Sequence, residues 1–392
     1  MDFQYTTEQK MLIDTCNEIG KKEFEPRAAY WDKNCVYPWT NVYKLNELGI
    51  LGMTIPEDYG GQGRHLIDAI IAIETIAQYC GVTARIIVET NMGAVGNIMA
   101  YGTEKQKRMV ASRILEEGDK PTIAMTEPEA GTALTELRTT AEKKGDSYIL
   151  NGTKHWITGG SIAKTNFVWA RFIEDGQDNG IGGILVDSGT PGFEFGKIED
   201  ALGVRGIPEA ELIFTNCEVP AENVVVRGNG HDSFRKMMYG YNGQRVGASA
   251  VALGIAQGAH NLAVDWMNRR QAFGHAISEY QGLQWMMAEA EMELWASRLL
   301  IYQAACNARE ASGNMKLPTI RESSMAKAYS SKKAFHIVSD SLQMFGGYGY
   351  SKDLPLERML RDVRMFQLGG GTTQAQLNMI ARSVFKRKFE QK

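Results

Sequence analysis

The chain has 392 residues, 44% hydrophobic and 23% charged, enough for a large core in two or three packed domains. A net charge of −3 and a pI near 6.1 give no basic field to draw in nucleic acid or an anionic membrane surface. No stretch approaches the ~18 uncharged apolar residues of a membrane span, and the polar N-terminus is unlike a signal peptide, which points to the cytoplasm.

Residues 1 to about 120 read as helical. Thr6 and Gln9 have capping-box spacing, and Leu12, Cys16 and Ile19 follow at helical intervals. The glycine-rich run from Leu48 to Gly63 divides this region. Between 121 and 233 the pattern changes to short alternating runs punctuated by Asn151-Gly152, Gly159-Gly160 and Pro191-Gly192, which predicts a small antiparallel β domain with a hairpin turn at Asn151-Gly152. From 234 to 392, long apolar-periodic segments return, with breaks near Phe273-Gly274, from Gly313 to Pro318, and at the glycines from Gly346 and Gly369. They predict a bundle of four or more helices, and the whole is an α+β protein of helical, β and helix-bundle parts in that order.

The cysteines Cys16, Cys35, Cys80, Cys217 and Cys306 form no C-x-x-C pair and have no metal-ligand spacing to histidine, so neither disulfides nor a metal is expected. Five segments carry other chemistry. Ala124 to Thr132 leaves a predicted strand with a hydroxyl, small residues and free N–H groups, which suits close approach to a flat polar ring or simply a strand-to-loop turn. Trp156 to Thr158 adds an aromatic wall and a second hydroxyl, unless the tryptophan is core. Arg269 to Gly274, Gln343 to Tyr350 followed by Asp353, Arg358 and Asp362, and Gly371 to Gln374 offer arginine, glutamine and glycine N–H groups to a pyrophosphate. No G-x-G-x-x-G or P-loop follows a strand.

In this order and spacing these motifs resemble the acyl-CoA dehydrogenase superfamily over essentially the whole chain. The first departs from the family pattern in having Ala133 where the family has Asp. The resemblance implies FAD, with Met125, Thr126, Gly131, Thr132, Trp156 and Thr158 on one side of the flavin and Thr372 and Gln374 on the other. It also implies that Arg270, Phe273, Gln343, Gly346 and Gly347 reach FAD from a neighbouring subunit of a homotetramer, and that Asn242 and Arg245 meet the coenzyme A of an acyl-CoA thioester.

Such an enzyme needs a carboxylate to take the proton beside the thioester. The family supplies it at one of two positions, which here are Gly370 and Gln244. Glycine has no side chain and an amide cannot accept that proton near neutral pH. Glu89 is the replacement favoured by family position, although four residues from Arg85 it also suits a helical ion pair. Arg85 lies in the apolar run V-T-A-R-I-I-V, where a guanidinium needs an anionic partner or a polar cavity.

Arg85, Gln244 and Gly370 together resemble a branch of the superfamily, the 3-sulfinopropionyl-CoA desulfinases. That resemblance implies cleavage of a carbon–sulfur bond to give propionyl-CoA and sulfite without an electron acceptor. Arg85 and Gln244 would then act at the reacting end, and Gly370 would open space for the sulfinate. Two alternatives stand beside it: a dehydrogenase or reductase with a relocated base, acting on an anionic or cyclic acyl-CoA and exchanging electrons with an electron-transfer flavoprotein, or a flavoprotein scaffold without catalysis.

Overall fold

The computed structural model describes residues 4–310 and 315–387, so Gly313, in one of the expected breaks, lies outside the described residues. Seven helices come first: α1 (Thr7–Ile19), α2 (Glu25–Asn34), α3 (Trp39–Glu47), α4 (Leu66–Ala77), α5 (Gly81–Asn91), α6 (Ala94–Tyr101) and α7 (Glu104–Glu117). The Thr6–Gln9 capping box forms as the spacing predicts, and α1 buries Cys16 and Ile19. Helix α5 is buried along its whole length, between α4 and the long central helix of the C-terminal part. Such a helix is apolar all round except where it carries chemistry. Ile86 and Ile87, fully buried on it, contribute about 1.5–3 kcal/mol each.

Eight strands follow: β1 (Thr122–Ala124), β2 (Thr140–Lys144), β3 (Ser147–Thr158), β4 (Thr165–Glu174), β5 (Gln177–Asp187), β6 (Phe193–Glu199), β7 (Glu209–Pro220) and β8 (Val224–Val226). They form one sheet in the order β6-β7-β3-β2-β4-β5-β8, with β1 beside β4. Pairing is antiparallel except that β1 and β2 each run parallel to β4. Strand β4 is covered on both faces. Val168, Ala170 and Phe172 point into the sheet's own core, while Phe167 and Trp169 join the helical core, where Trp169 meets Phe234 edge-on at 5.9 Å.

The hairpin turn expected at Asn151-Gly152 is not a turn. Both residues lie inside β3, and the chain reverses earlier, between β2 and β3. Gly152 instead marks a bulge at φ +145°, where a Cβ would meet the backbone of Thr139 at 2.7 Å. Asparagine followed by glycine satisfies a bulge as well as a turn, because both need a backbone that only glycine adopts freely.

The C-terminal part holds α8 (Gly230–Gly240), α9 (Asn242–Arg269), α10 (Gln281–Cys306), α11 (Ile320–Met344), α12 (Leu356–Met365) and α13 (Thr373–Phe385). Helix α9 is its spine, packing on α4, α5, α10 and α11, and it is buried continuously from Asn242 to Ala256. No described helix is long and apolar enough to cross a membrane.

Candidate functional site

The ends of α5, β3, β7 and α9 bring buried charges together. On α5, Arg85 Nε donates to Glu89 Oε1 at 3.0 Å, both side chains being buried. Glu89 is also ion-paired with Lys120, whose Nζ donates to the carbonyl of Thr158 at 3.2 Å. Burial pulls the Arg85 guanidinium down, yet Glu89, Tyr241 and Glu209 together hold it above its ordinary value. Among the described residues its two Nη groups have no hydrogen-bond partner, so the side of the fork is engaged and its end is available.

Gln244 and Arg245 begin α9. The buried Gln244 Oε1 has no hydrogen-bond partner and lies against Gly93, where a Cβ would stand 2.6 Å away. Arg245 is buried with no acidic partner among the described residues; its Nη1 donates to Asn242 Oδ1 at 2.7 Å and its Nε is unpaired. Asn242 in turn donates to the Pro318 carbonyl at 3.0 Å, so its amide is committed to positioning the guanidinium.

Gly370 closes the cluster. It sits at φ +72°, and a Cβ there would touch Lys327 Cε and Tyr241 Oη at 3.7 Å. Lys327 is fully buried and caps three carbonyls, those of Phe366, Gly369 at 2.9 Å and Gly371 at 3.4 Å. Burial, then the charges of Arg245 and Arg85, push its ammonium down to about 7, while three acceptors matching its three N–H donors hold the proton in place. Lys327→Met leaves those carbonyls unpaired, and we expect it to cost about 3 kcal/mol or more, at 1–3 kcal/mol for each orphaned group. Chemical denaturation midpoints against the parent check this.

The motif after β1 is only partly exposed. Met125 is buried, Thr126 half-buried, and Gly131 and Thr132 are exposed. The carbonyl of Thr126 accepts from His155 N–H at 2.9 Å, which sets the motif beside Trp156. Glu127 is structural: it accepts from Lys154 at 2.8 Å and from the Arg138 and Thr139 amides. Trp156 is no core residue. A bulge in β3 puts it at φ +57° and leaves it 50% exposed.

Arg270, Gln343, Gly346 and Gly347 line one open cleft of about 550 Å³ with Trp266 and Asp353, and Phe273 stands 95% exposed in the hairpin that follows α9. Asp362 turns away from it, accepting the Val204 N–H at 2.6 Å. Thr372 caps α13 by accepting from Ala375 N–H at 3.1 Å, which leaves its own O–H free to donate, and Gln374 is exposed.

The models of the acyl-CoA dehydrogenase N-terminal, middle and C-terminal domains match residues 6–117, 122–217 and 232–385. The chain belongs to the acyl-CoA dehydrogenase family. Within it, the chain is 43% identical to the 3-sulfinopropanoyl-CoA desulfinase of Paraburkholderia xenovorans (strain LB400), covering 100% of this chain and 99% of that one. It is 37% identical to the acryloyl-CoA reductase (NADH) of Anaerotignum propionicum, over 99% and 97% of the two chains. Butyryl-CoA dehydrogenase from Megasphaera elsdenii superposes with a TM-score of 0.91 at 32% identity, over 98% of this chain and 100% of that structure.

Lys120, Glu209, Tyr241 and Lys327 escaped sequence reasoning. Lys327 alone left a signal, as a cation inside the small-residue run from Ser323 to Ser331 of α11. Glu209 is found only through the β3–β7 register, which makes it the partner of Thr158.

Proposed function

We propose that the chain converts 3-sulfinopropionyl-CoA and water to propionyl-CoA and sulfite, using FAD in a homotetramer whose subunits comprise residues 1–120, 121–233 and 234–392. The observation that carries this is Arg85. It is a buried guanidinium whose two Nη donors face no protein acceptor, in a site where Gln244 and Gly370 stand at the positions of the missing bases. A sulfinate offers two oxygens to such a fork, as a carboxylate does. Four relatives 40–43% identical to this chain bear the name 3-sulfinopropanoyl-CoA desulfinase, and each matches over 99% of this chain or more.

In this reading Arg85 holds the sulfinate, Gln244 meets it with a neutral amide, and Gly370 leaves room for it. Arg245, positioned by Asn242, faces the coenzyme A end. The residues fit FAD: the cleft of Arg270, Gln343, Gly346 and Gly347 provides a guanidinium and glycine N–H groups for a pyrophosphate, and Trp156 presents an uncovered aromatic face near Thr126 and Thr158. Bound FAD supplies a flat ring, against which Met125, Thr126, Gly131, Thr132 and Thr158 would lie, with Thr372 and Gln374 opposite. Phe273 makes few contacts within its own chain, so we expect Phe273→Ala to fold normally and lose FAD affinity by about tenfold, one aromatic contact of ~1.5 kcal/mol. Flavin retained after gel filtration reads this directly.

The deciding experiment is anaerobic incubation with 3-sulfinopropionyl-CoA and no electron acceptor. Sulfite with propionyl-CoA is the expected outcome. Absence of sulfite, with dye reduction by another acyl-CoA, would replace this reading with a dehydrogenase that has a relocated base and an electron-transfer flavoprotein as partner.

A further inference from the structure

Thr158 and Glu209 are direct partners in the β3–β7 pairing, so their side chains stand on one face of the sheet. The Thr158 hydroxyl donates to both Glu209 oxygens, each at 3.0 Å. Around Glu209 stand Arg85 and Glu89 of α5, Lys120, Tyr241 at the head of α9, and Glu199 across the β6–β7 pairing. The other two carboxylates have cations in contact: Glu89 has Arg85 and Lys120, and Glu199 has Lys197 at 2.7 Å, with His155 Nε2 at hydrogen-bond distance, 2.9 Å. Glu209 has no cation in contact among the described residues, although the residue as a whole keeps some exposure. A carboxyl left without an ion-pair partner beside a buried guanidinium is placed to hold and release a proton.

We propose that Glu209 is the general acid that protonates the carbon from which the sulfinate departs, with Thr158 orienting its carboxyl. The inference rests on the desulfination reading. As the carbon–sulfur bond breaks, its electron pair goes to carbon, which takes the Glu209 proton. A water oxygen bonds to sulfur; one of its hydrogens restores Glu209 and the other stays with the product as hydrogen sulfite. Sulfur is oxidised and carbon reduced by the same electron pair, so no external acceptor takes part. Burial pushes the Glu209 carboxyl up to about 7, against the opposing pull of Arg85 and the Thr158 hydrogen bond, so both protonation states are populated near neutral pH. The acid form is lost as pH rises through that value, and sulfite release falls with it.

The test uses the FAD-loaded full chain with 3-sulfinopropionyl-CoA under anaerobic conditions. We expect Glu209→Gln to lower kcat for sulfite release by about 100-fold with KM, flavin content and melting temperature unchanged, and Glu209→Asp to recover part of the loss. The fall in wild-type kcat above about pH 7 should be absent from Glu209→Gln. A Glu209→Gln kcat within about threefold of wild type overturns the assignment and leaves desulfination standing. If the variant fails to fold, the wild-type profile decides: no change in kcat between about pH 6 and 9 overturns it. No sulfite from the wild type would instead remove the reading on which the proposal rests.

Discussion

Replacing Arg85 with lysine is expected to cut kcat/KM for sulfite release by about 1000-fold, while the protein remains folded. The two unengaged Nη donors are what a sulfinate would bind, and two charge-assisted hydrogen bonds at about 1.5–3 kcal/mol each account for a loss of that size. Lysine keeps the charge that answers Glu89, which Lys120 holds as well, so the fold loses little. If Arg85 only balanced Glu89 inside the core, Arg85→Lys would leave activity nearly intact. A parallel steady-state series on the two proteins, with melting temperatures as control, separates the outcomes.

Gly370→Glu should have a still larger effect, abolishing sulfite release to below about one part in 1000. The position lies at φ +72°, where a side chain costs about 1–2 kcal/mol in backbone strain, and the first carbon already touches Lys327 and Tyr241. The rest of the glutamate has to enter the space assigned to the sulfinate and would place a second negative charge beside it. Gly370→Ala separates the two effects, since it carries the strain without the carboxylate and should retain most activity at a lower denaturation midpoint. Sulfite release from Gly370→Glu at the parental rate would show that position 370 does not face the acyl group.

Much of the architecture was legible because it is written in local patterns. The Thr6–Gln9 box announced α1, and the change from helical to alternating periodicity marked the sheet. Asn151-Gly152 misled because its local chemistry serves a turn and a bulge equally, and only the pairing of β3 with β7 decides between them. The site was half legible. Arg85, Gln244 and Gly370 stood out as departures from a pattern, whereas Lys120 and Glu209 gain meaning only from partners far away in sequence. Asn242, expected at coenzyme A, uses both ends of its amide within the protein, which no spacing rule foretells.

The buried cluster has a consequence for the folded state itself. Arg85 and Lys120, answered by Glu89 and by a Glu209 that is part-protonated near neutral pH, share a low-dielectric interior with Arg245 and Lys327, which have no carboxylate partner among the described residues, and like charges there repel strongly. In the ligand-free protein this surplus works against folding, and an anion entering the cluster relieves it. The ligand thus behaves as a missing piece of the core, and the melting temperature should climb with its concentration, steeply for an anionic acyl-CoA and barely for a neutral one of equal length.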